Sequence, residues 1–411
     1  MIFDLVVIGG GAGGFFGAIR VGELFPGAKI CILEAARKPL SKVEISGGGR
    51  CNVTHACFDP EELTSFYPRG QKEMLGPFFK FQPKDMVEWL QSRGVKLKKE
   101  NDGRMFPVTD KSSTIIDCFT RAIERSGIKL LISTRASDWV FDESTASWKI
   151  TLFDGNTLQS KFLLIASGSD QRTWDLLKKI GHTIISPVPS LFTFNIRDTN
   201  LLSLQGISKS DVKVSIPAFK LETSGPLLIT HWGVSGPAIL KLSAWGARDL
   251  YDCGYVFDLV INWRGAEDQD MFRKWLQSTM KINTRRKVNN LVVQDIPARL
   301  WKYFCTRAEI PELTNCSEMG NKHLDRLADV LCRDTYRVTG KSTYKDEFVT
   351  AGGVDLTDID MKSFQSKIRP QLFLVGEVLN IDALTGGFNF QAAWTGAELA
   401  ARKMSELLRS N

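Results

Sequence analysis

Three glycines near the start of the chain have the spacing of a phosphate-binding turn. Gly9, Gly11 and Gly14 match G-x-G-x-x-G within "FDLVVIGGGAGGFFGAIR", a pattern typical of a strand, a tight turn and a helix. The first glycine would form the turn, and the second would let a pyrophosphate touch the backbone at the helix N-terminus. The third would let helix and strand pack closely. The motif predicts dinucleotide binding; the alternative is a glycine-rich turn without a ligand.

An acidic residue stands where the ribose of such a dinucleotide would lie. A second predicted strand, "AKICILE", ends at Glu34, about 20 residues beyond the last glycine of the motif. A carboxylate at this place accepts a hydrogen bond from the ribose 2′-OH and disfavours a phosphorylated ribose. The sequence therefore predicts FAD or NAD, and not NADP, as the bound dinucleotide.

A second glycine-rich stretch, "EISGGGRCNVT", favours the flavin. Glycine runs cost conformational entropy on folding, so they indicate a backbone that something approaches closely. We predict that the amides of Gly48 and Gly49 face the pyrophosphate or the flavin edge. Arg50 would make a charge-assisted contact to a phosphate or a flavin carbonyl, and Asn52 would bond a polar ring edge. An NAD domain needs no such loop; the alternative is a flexible surface loop.

The C-terminal part supplies the other half of the predicted site. "QLFLVGEVLNIDALTGGFNFQAAWTG" indicates a strand over 372–375, then Gly376-Glu377, then Gly386-Gly387 before a helix from about Asn389. In FAD proteins such an acid binds the ribityl chain, and the positive helix N-terminus stabilises negative charge on the reduced flavin. "FLLIASGS" predicts another strand that ends in a turn of small residues. The FAD contacts that we predict in addition are Ala12, Lys42, Ala136, Ser167, Gly168 and Phe388.

Five blocks together resemble one known family: "SGGGRCN", "GRMFPVTDKSS", "THWGVSGPAIL", "VTAGGVDL" and "VGEVLNIDALTGGFNFQAAWTG". They are similar to the BaiN/RdsA-like (YhiN-like) family of FAD-dependent NAD(P) oxidoreductases. The resemblance implies an α/β fold, with a Rossmann-like, disulfide-reductase-like FAD-binding domain built from both chain ends. We predict that this domain comprises residues 1–190 and 346–411. The predicted insert, residues 191–345, has a β-barrel-like part (191–265 and 335–345) and a helical part (266–334).

Composition limits the class of protein. The chain has 411 residues, 43% of them hydrophobic and 24% charged, with a net charge of +7. No apolar run reaches the ~18 residues that span a bilayer, so no membrane partner is expected. Eight cysteines without a C-x-x-C pair and only four histidines argue against a disulfide framework and against a metal site. They indicate a reducing compartment, and we predict a cytoplasmic location.

The chemistry of a flavin leaves the protein to position a substrate and to move one proton. Cys51 in the flavin loop and His231 in "THWGVSGPA" are the predicted catalytic residues. The alternatives are a small residue packed under the loop and a histidine that bonds its own turn. Arg104 and Phe106 are predicted to line the pocket, although a plain strand and turn explains them equally. No second dinucleotide motif is visible, and the resemblance implies NAD(P)H as a transient reductant.

A basic run in the insert bears on the substrate. Between Met271 and Gln294 lie six basic residues and no acidic one, including Arg285, Arg286 and Lys287. Such a run binds a phosphate backbone, or is one solvated helix face. Some relatives resemble ribosomal RNA dihydrouridine synthases, and others are linked with steroid-ring alkenes or amines.

The sequence thus predicts an FAD-dependent reductase of a carbonyl-conjugated C=C bond, with uridine in ribosomal RNA as the leading substrate. The alternatives are a small-molecule enone reductase or amine oxidase, and a non-catalytic FAD protein that binds RNA or a partner. The sequence leaves the oligomeric state open.

Overall fold

The computed structural model describes residues 2–265, 267–293, 295–342 and 349–410, which form two compact units. The first unit is Met1–Val188 with Val349–Asn411, and the second is Pro189–Phe348. The predicted boundary between residues 345 and 346 lies outside the described residues. The exact domain limits drawn from the sequence therefore stay a prediction.

The first stretch of the chain, up to the second unit, alternates strands with helices. Its strands are β1 Ile2–Ile8, β2 Ile30–Leu33, β3 Thr54–His55, β4 Leu97–Lys99, β5 Arg104–Pro107, β6 Lys129–Leu131, β7 Ala136–Asp142, β8 Ser147–Leu152, β9 Thr157–Ile165 and β10 Ile184–Ser190. Its helices are α1 Ala12–Leu24, α2 Ser41–Gly49, α3 Pro60–Thr64, α4 Gln71–Phe78, α5 Pro83–Gln91, α6 Ser113–Arg125 and α7 Gln171–Lys179.

The second unit combines a barrel with a helical part. Its strands are β11 Thr193–Ile196, β12 Ser208–Ile216, β13 Leu221–Ile229, β14 Gly233–Ser235, β15 Phe257–Asn262 and β16 Asp334–Ser342. They close a barrel in the order β11-β14-β13-β12-β15-β16. The helices are α8 Thr199–Leu202, α9 Pro237–Trp245, α10 Ala247–Asp252, α11 Gln269–Ile282, α12 Ala298–Arg307 and α13 Asn321–Arg333. Apolar side chains of strands and helices form one continuous core.

The last stretch returns to the first unit. It contains β17 Val349–Val354, β18 Ile359–Asp360, β19 Gln365–Ser366, β20 Leu372–Leu374 and α14 Phe388–Ser410. This stretch also has short 3-10 helices at Leu356–Asp358 and Gly376–Val378, and the second unit has three more, at Pro217–Phe219, Val288–Asn290 and Cys316–Glu318.

The main sheet of the first unit brings the two chain ends together. Its strand order is β18-β19-β20-β9-β1-β2-β6, with β8 paired to β9 and β7 to β8. Strand β1 pairs in parallel with β2 and with β9, and β20 is parallel to β9. The buried apolar run of β1 suits a parallel strand that is covered on both faces. The carboxyl ends of β1, β2, β9 and β20 therefore share one edge of the sheet.

Small residues let the helix of each chain end approach the other. A Cβ added to Gly17 of α1 would lie 3.6 Å from the Cβ of Ala397 of α14, which is ordinary contact distance. A Cβ on Gly13 would likewise lie 3.7 Å from that of Ala393. The predicted fold class, an α/β domain built from both chain ends with a barrel-containing insert, is confirmed. No helix among the described residues is long and apolar enough to cross a membrane.

Candidate active site

The turn between β1 and α1 contains two kinds of glycine. A Cβ on Gly9 would overlap the Ala166 carbonyl, and a Cβ on Gly14 would overlap the Gly9 carbonyl oxygen. These two glycines are therefore required by the protein's own packing. A Cβ on Gly11 would meet nothing within 4 Å. Gly11 faces open space at the N-terminus of α1, which begins at Ala12, and such a helix end attracts phosphate.

Glu34 is fixed at the end of β2 by the same turn. Its Oε2 accepts a hydrogen bond from the Gly10 amide at 2.7 Å, and its Oε1 accepts one from the Ala36 amide at 2.6 Å. The Glu34 carbonyl accepts a bond from the Thr134 amide at 2.8 Å. Ala136, which begins β7, is two residues further on and buried. The predicted ribose residue and Ala136 thus come from neighbouring segments, and each carboxylate oxygen can accept a further bond.

The predicted flavin loop is a distorted helix end. The backbone of α2 leaves helical geometry at Ser46, and Gly47, Gly48 and Gly49 have φ values of 59°, 69° and 83°. A Cβ on Gly47 would strike the Phe106 ring at 2.7 Å, but on Gly48 or Gly49 it would meet nothing within 4 Å. Left-handed backbone favours glycine, and two of these three glycines also face open space.

Arg50 holds this loop through contacts that the sequence did not indicate. Its guanidinium donates to Glu100 at 2.6 Å and to the Gly47 carbonyl at 3.3 Å, and it lies 4.0 Å from the centre of the Phe106 ring. Arg104 also lies over Phe106, at 5.5 Å, and bonds Asp102 at 2.7 Å. The structure brings these predicted residues together. A contact from Arg50 to a phosphate or a flavin carbonyl stays a prediction.

The start of α14 is held against β3. The buried amide of Asn52, in the orientation that satisfies both its ends, accepts from the Gly387 amide at 3.0 Å and donates to the Thr54 carbonyl at 3.1 Å. Asn389 fixes the preceding loop, because its side chain accepts a hydrogen bond from the Ala383 amide and donates one to the Ala383 carbonyl. These amides therefore set the direction of the helix N-terminus, which carries partial positive charge.

Sequence reasoning missed His55, which supports the same helix end. Its ring stacks on Phe388 with 4.5 Å between ring centres, and its Nε2 lies 2.9 Å from the Asp102 carbonyl oxygen. Burial lowers the pKa of His55. The ring is therefore neutral at physiological pH and donates through Nε2, as an aromatic support for Phe388. The available signal was its position directly after "RCNVT".

Two predicted residues from distant parts of the chain, Lys42 and Gly168, lie at the carboxylate of Glu377. Its Oε2 accepts from Lys42 Nζ at 2.5 Å, and its Oε1 accepts from the Thr350 amide at 3.0 Å. A Cβ on Gly168 would lie 3.7 Å from Oε2 of the same carboxylate. Ser167 precedes Gly168 in the turn after β9, and Gly376, with φ of 76°, turns the chain after β20. The turns that follow β9 and β20 therefore bring Gly168 close to Glu377, the predicted acid, and Lys42 of α2 binds the same carboxylate.

The predicted catalytic residues lie in different surroundings. Cys51 is completely buried with φ of 62°, and burial raises the pKa of its thiol to about 12. Such a thiol is a weak proton donor at neutral pH, which favours the packed alternative. His231 is exposed in the second unit, with its ring 4.0 Å from that of Trp232. The catalytic role of each residue stays a prediction.

The basic run is divided between a helix and the segment that follows it. Arg273 of α11 forms an ion pair with Asp325. Arg285, Arg286 and Lys287 follow the end of α11 and are exposed, as is Lys281. None of these four exposed cations has an ion pair with a residue that the structure describes. Gln294, the end of the predicted run, lies outside the described residues. The interpretation as one solvated helix face therefore covers only part of the run.

Comparison with known proteins matches this chain to one family. The model of the family described as "HI0933-like protein Rossmann domain" matches residues 3–403. The chain is 24% identical over 416 residues to a ribosomal RNA dihydrouridine synthase of Escherichia coli, covering 98% of each chain. It is 22% identical over 411 residues to a 3-dehydro-bile acid Δ4,6-reductase of Clostridium scindens, covering 97% of this chain and 98% of the other.

Solved structures share the fold at lower identity. A 3-ketosteroid Δ4-(5α)-dehydrogenase from Rhodococcus jostii superposes with a TM-score of 0.51 and 11% identity, covering 97% of each chain. A flavocytochrome c3 fumarate reductase in its open conformation gives a TM-score of 0.50 and 14% identity, covering 98% of this chain and 78% of the other. At these identities the likeness concerns the fold alone.

Proposed function

This chain belongs to the HI0933-like family, and from that membership we propose that it is an FAD-dependent oxidoreductase that reduces a carbonyl-conjugated C=C bond. The family match confirms the resemblance drawn from the five sequence blocks. Uridine in ribosomal RNA is the proposed substrate, because the relative from Escherichia coli that carries this activity in its name aligns over almost its whole length.

The observation that carries the proposal is a set of glycines that face open space, one in the turn after β1 and two at the end of α2. Gly11, Gly48 and Gly49 would each place a Cβ where the protein has no atom within 4 Å. Their amides suit the pyrophosphate and the flavin edge, since backbone donors in such turns form anion-binding nests. Glu34 would bind the ribose and Glu377 the ribityl chain. These donors and acceptors fit FAD.

The protein's own task in the reaction is to orient the substrate and to move one proton. When bound, FAD would accept two electrons and a proton from NAD(P)H and supply them to the substrate carbon as a hydride. The N-terminus of α14, fixed by Asn52 and by stacking of His55 on Phe388, would stabilise negative charge at the pyrimidine edge. The carbon next to the substrate carbonyl then needs a proton. The two candidate donors are His231 and Cys51, and burial, which raises the pKa of the Cys51 thiol, makes Cys51 the weaker of the two.

The exposed cations of the second unit support RNA as the substrate. Arg285, Arg286 and Lys287 are consecutive, exposed and without an ion pair among the described residues, so their charge is available to a polyanion. Ribosomal RNA as a partner and the cytoplasm as its location are parts of this proposal. A small steroid-like enone is the second candidate, favoured by the bile acid reductase among the relatives.

The test is direct product analysis. Ribosomal RNA transcribed without modification is incubated with FAD-loaded protein and NADH or NADPH, digested, and analysed for dihydrouridine by mass spectrometry. We expect dihydrouridine from the wild type and none from a Gly11→Val variant. Reduction of a 3-keto steroid enone without dihydrouridine would transfer the proposal to the second candidate. A protein that retains FAD but reduces neither substrate would contradict the proposed activity.

A further inference from the structure

A cavity in the second unit lies between the start of β12 and the chain that leads into α12. It has a volume of about 620 Å³ and is lined by Ser208, Lys209, Ser210, Pro226 and residues 295–297. We propose that this cavity binds a phosphate group, held between the ammonium of Lys209 and the N-terminus of α12. The proposal goes beyond the flavin reaction and does not depend on it.

The register of the barrel turns Lys209 inward. Lys209 of β12 lies directly opposite Leu227 of β13, and the side chains of such a pair lie on one face of the sheet. Leu227 is completely buried in the core of the unit. Between Lys209 and Val212 the register shifts as in a β-bulge, which keeps both residues on the buried face. The lysine is therefore only 6% exposed.

The ammonium of Lys209 has no hydrogen bond or ion pair with any residue that the structure describes. Its Nζ is not fully enclosed, so the ammonium reaches open space at the cavity. Burial lowers the pKa of Lys209, and the charge of Asp295 opposes this, which places the ammonium on the side of the cavity that carries Asp295. Burying a cation without a partner is unfavourable, and a bound anion would offset that penalty.

The N-terminus of α12 adds a second positive group. Pro297 is the N-cap residue and gives no side-chain cap, and the first turn has no acidic residue. The amides of Ala298 and Arg299 have no acceptor in the described ranges of the chain. The Arg299 guanidinium donates to the Ser203 carbonyl at 2.7 Å, so its charge adds to this helix end. Free amides and positive charge at a helix N-terminus together favour phosphate.

Asp295 is the acidic residue of the described lining, and it opposes an anion without cancelling the attraction. Its carboxylate forms neither an ion pair with Lys209 nor a cap on α12 among the residues described. The ammonium and the helix end together carry about one and a half positive charges against this one negative charge. The potential at the cavity is therefore positive, and removing the carboxylate should make it more so.

The test titrates inorganic phosphate into the FAD-loaded protein and follows binding by calorimetry. Bound FAD occupies the proposed pyrophosphate site, so that site does not contribute. We expect Lys209→Met, which keeps an apolar stem and removes the charge, to weaken phosphate binding by about tenfold or more, the range for a charge-assisted hydrogen bond. Asp295→Asn removes the opposing charge and should strengthen binding.

The helix end is tested by Ala298→Pro, which removes one amide hydrogen at the first helical position, where proline is tolerated. Pro297 already has the extended backbone, φ −57° and ψ 140°, that a following proline requires. This variant should also bind phosphate more weakly.

The matched control is Lys322→Met, which removes an exposed lysine on α13 of the same unit, outside the lining of this cavity. It should bind phosphate like the wild type. Displacement of the phosphate by a short oligouridylate would support the site and identify an RNA backbone as the source of the group. Displacement by uridine monophosphate alone would support it with a small phosphorylated ligand. A wild type that does not bind phosphate overturns the site, as does unchanged affinity in Lys209→Met or in Ala298→Pro.

Discussion

Charged side chains are arranged differently in the candidate active site and in the basic segment of the second unit, which consists of Arg285, Arg286 and Lys287. Around the site, cations are matched by acids: Lys42 bonds Glu377 at 2.5 Å, and Arg50 bonds Glu100 at 2.6 Å. In the second unit, Arg285, Arg286 and Lys287 are exposed and have no such acid among the described residues. The two cations named in the first region are paired with acids, and the three named in the second unit are not.

The difference indicates two modes of recognition. In the first region, amides of open glycines and fixed carboxylates define a shape for one small ligand, so its affinity should depend little on salt. In the second region, affinity for a polyanion comes from release of counterions and should fall steeply with salt. Substitutions in each region should therefore change one binding event and leave the other unchanged.

We expect the largest effect from Gly11→Val. The Cβ of the new side chain would have no protein atom within 4 Å and would lie in the open space at the N-terminus of α1, where the pyrophosphate is proposed to lie. The variant should fold and melt like the wild type but purify without FAD, as shown by absorbance of the denatured supernatant. RNA affinity should be unchanged.

Gly14→Val is the matched control for that experiment. Its Cβ would overlap the Gly9 carbonyl oxygen, so this variant should lose folded protein and not only the cofactor. A Gly11→Val protein with a full complement of FAD would show that the pyrophosphate does not lie there.

Reversing the basic segment should affect only the second mode. Changing Arg285, Arg286 and Lys287 to glutamate should weaken RNA binding and reduce the slope of log K against log salt by about 2, for three lost contacts at ~0.7 each. FAD content should not change. Reversing three exposed lysines of the first unit, Lys72, Lys80 and Lys84, provides the control. Equal effects from both triple variants would mean that the segment has no special role.

A smaller effect is expected from Arg50→Ala. The substitution removes the bond to Glu100 and the packing on Phe106, and it removes any charge-assisted bond to the cofactor. Loss of such a bond should weaken FAD binding to the apoprotein by about 1.5–3 kcal/mol. Unchanged FAD affinity together with an unchanged flavin reduction potential would restrict Arg50 to a role in anchoring the loop.

The smallest effect is expected from Cys51→Ala. Burial raises the pKa of the Cys51 thiol from its ordinary value of 9.0 to about 12. The folded state therefore favours the protonated thiol. The contribution of this thiol to the stability of the folded protein is complete below pH 9 and is lost as the pH rises towards 12. Between pH 7 and pH 9, iodoacetamide should label the half-buried Cys253 and not Cys51 in the native protein. Slow dihydrouridine formation by Cys51→Ala would instead support Cys51 as the proton donor.

The sequence revealed those parts of the site that depend on local spacing. The turn at Gly9, the helix from Ala12 and the acid at Glu34 lie within one strand-turn-helix-strand unit. In such a unit the local backbone or the expected ligand explains why each residue type is present. The start of α14 after Gly386-Gly387 was visible for the same reason.

Contacts between distant segments could not be derived in this way. Arg50 meets Glu100 and Phe106 some fifty positions away, and Asn52 bonds Gly387 from the other end of the chain. The sequence offered a packed Cys51 only as an alternative, because no neighbour in the sequence decides between packing and catalysis. The support of Phe388 by His55 depends on the same long-range packing.

The central claim is that FAD on this chain passes its electrons to a carbonyl-conjugated C=C bond. The most direct measurement mixes anaerobically photoreduced, FAD-loaded protein with unmodified ribosomal RNA and follows the return of the oxidised flavin absorbance. We expect rapid reoxidation by this RNA, and none by the same RNA in which the target uridine is already dihydrouridine. Flavin that stays reduced with the unmodified RNA and with a 3-keto steroid enone alike would contradict the account.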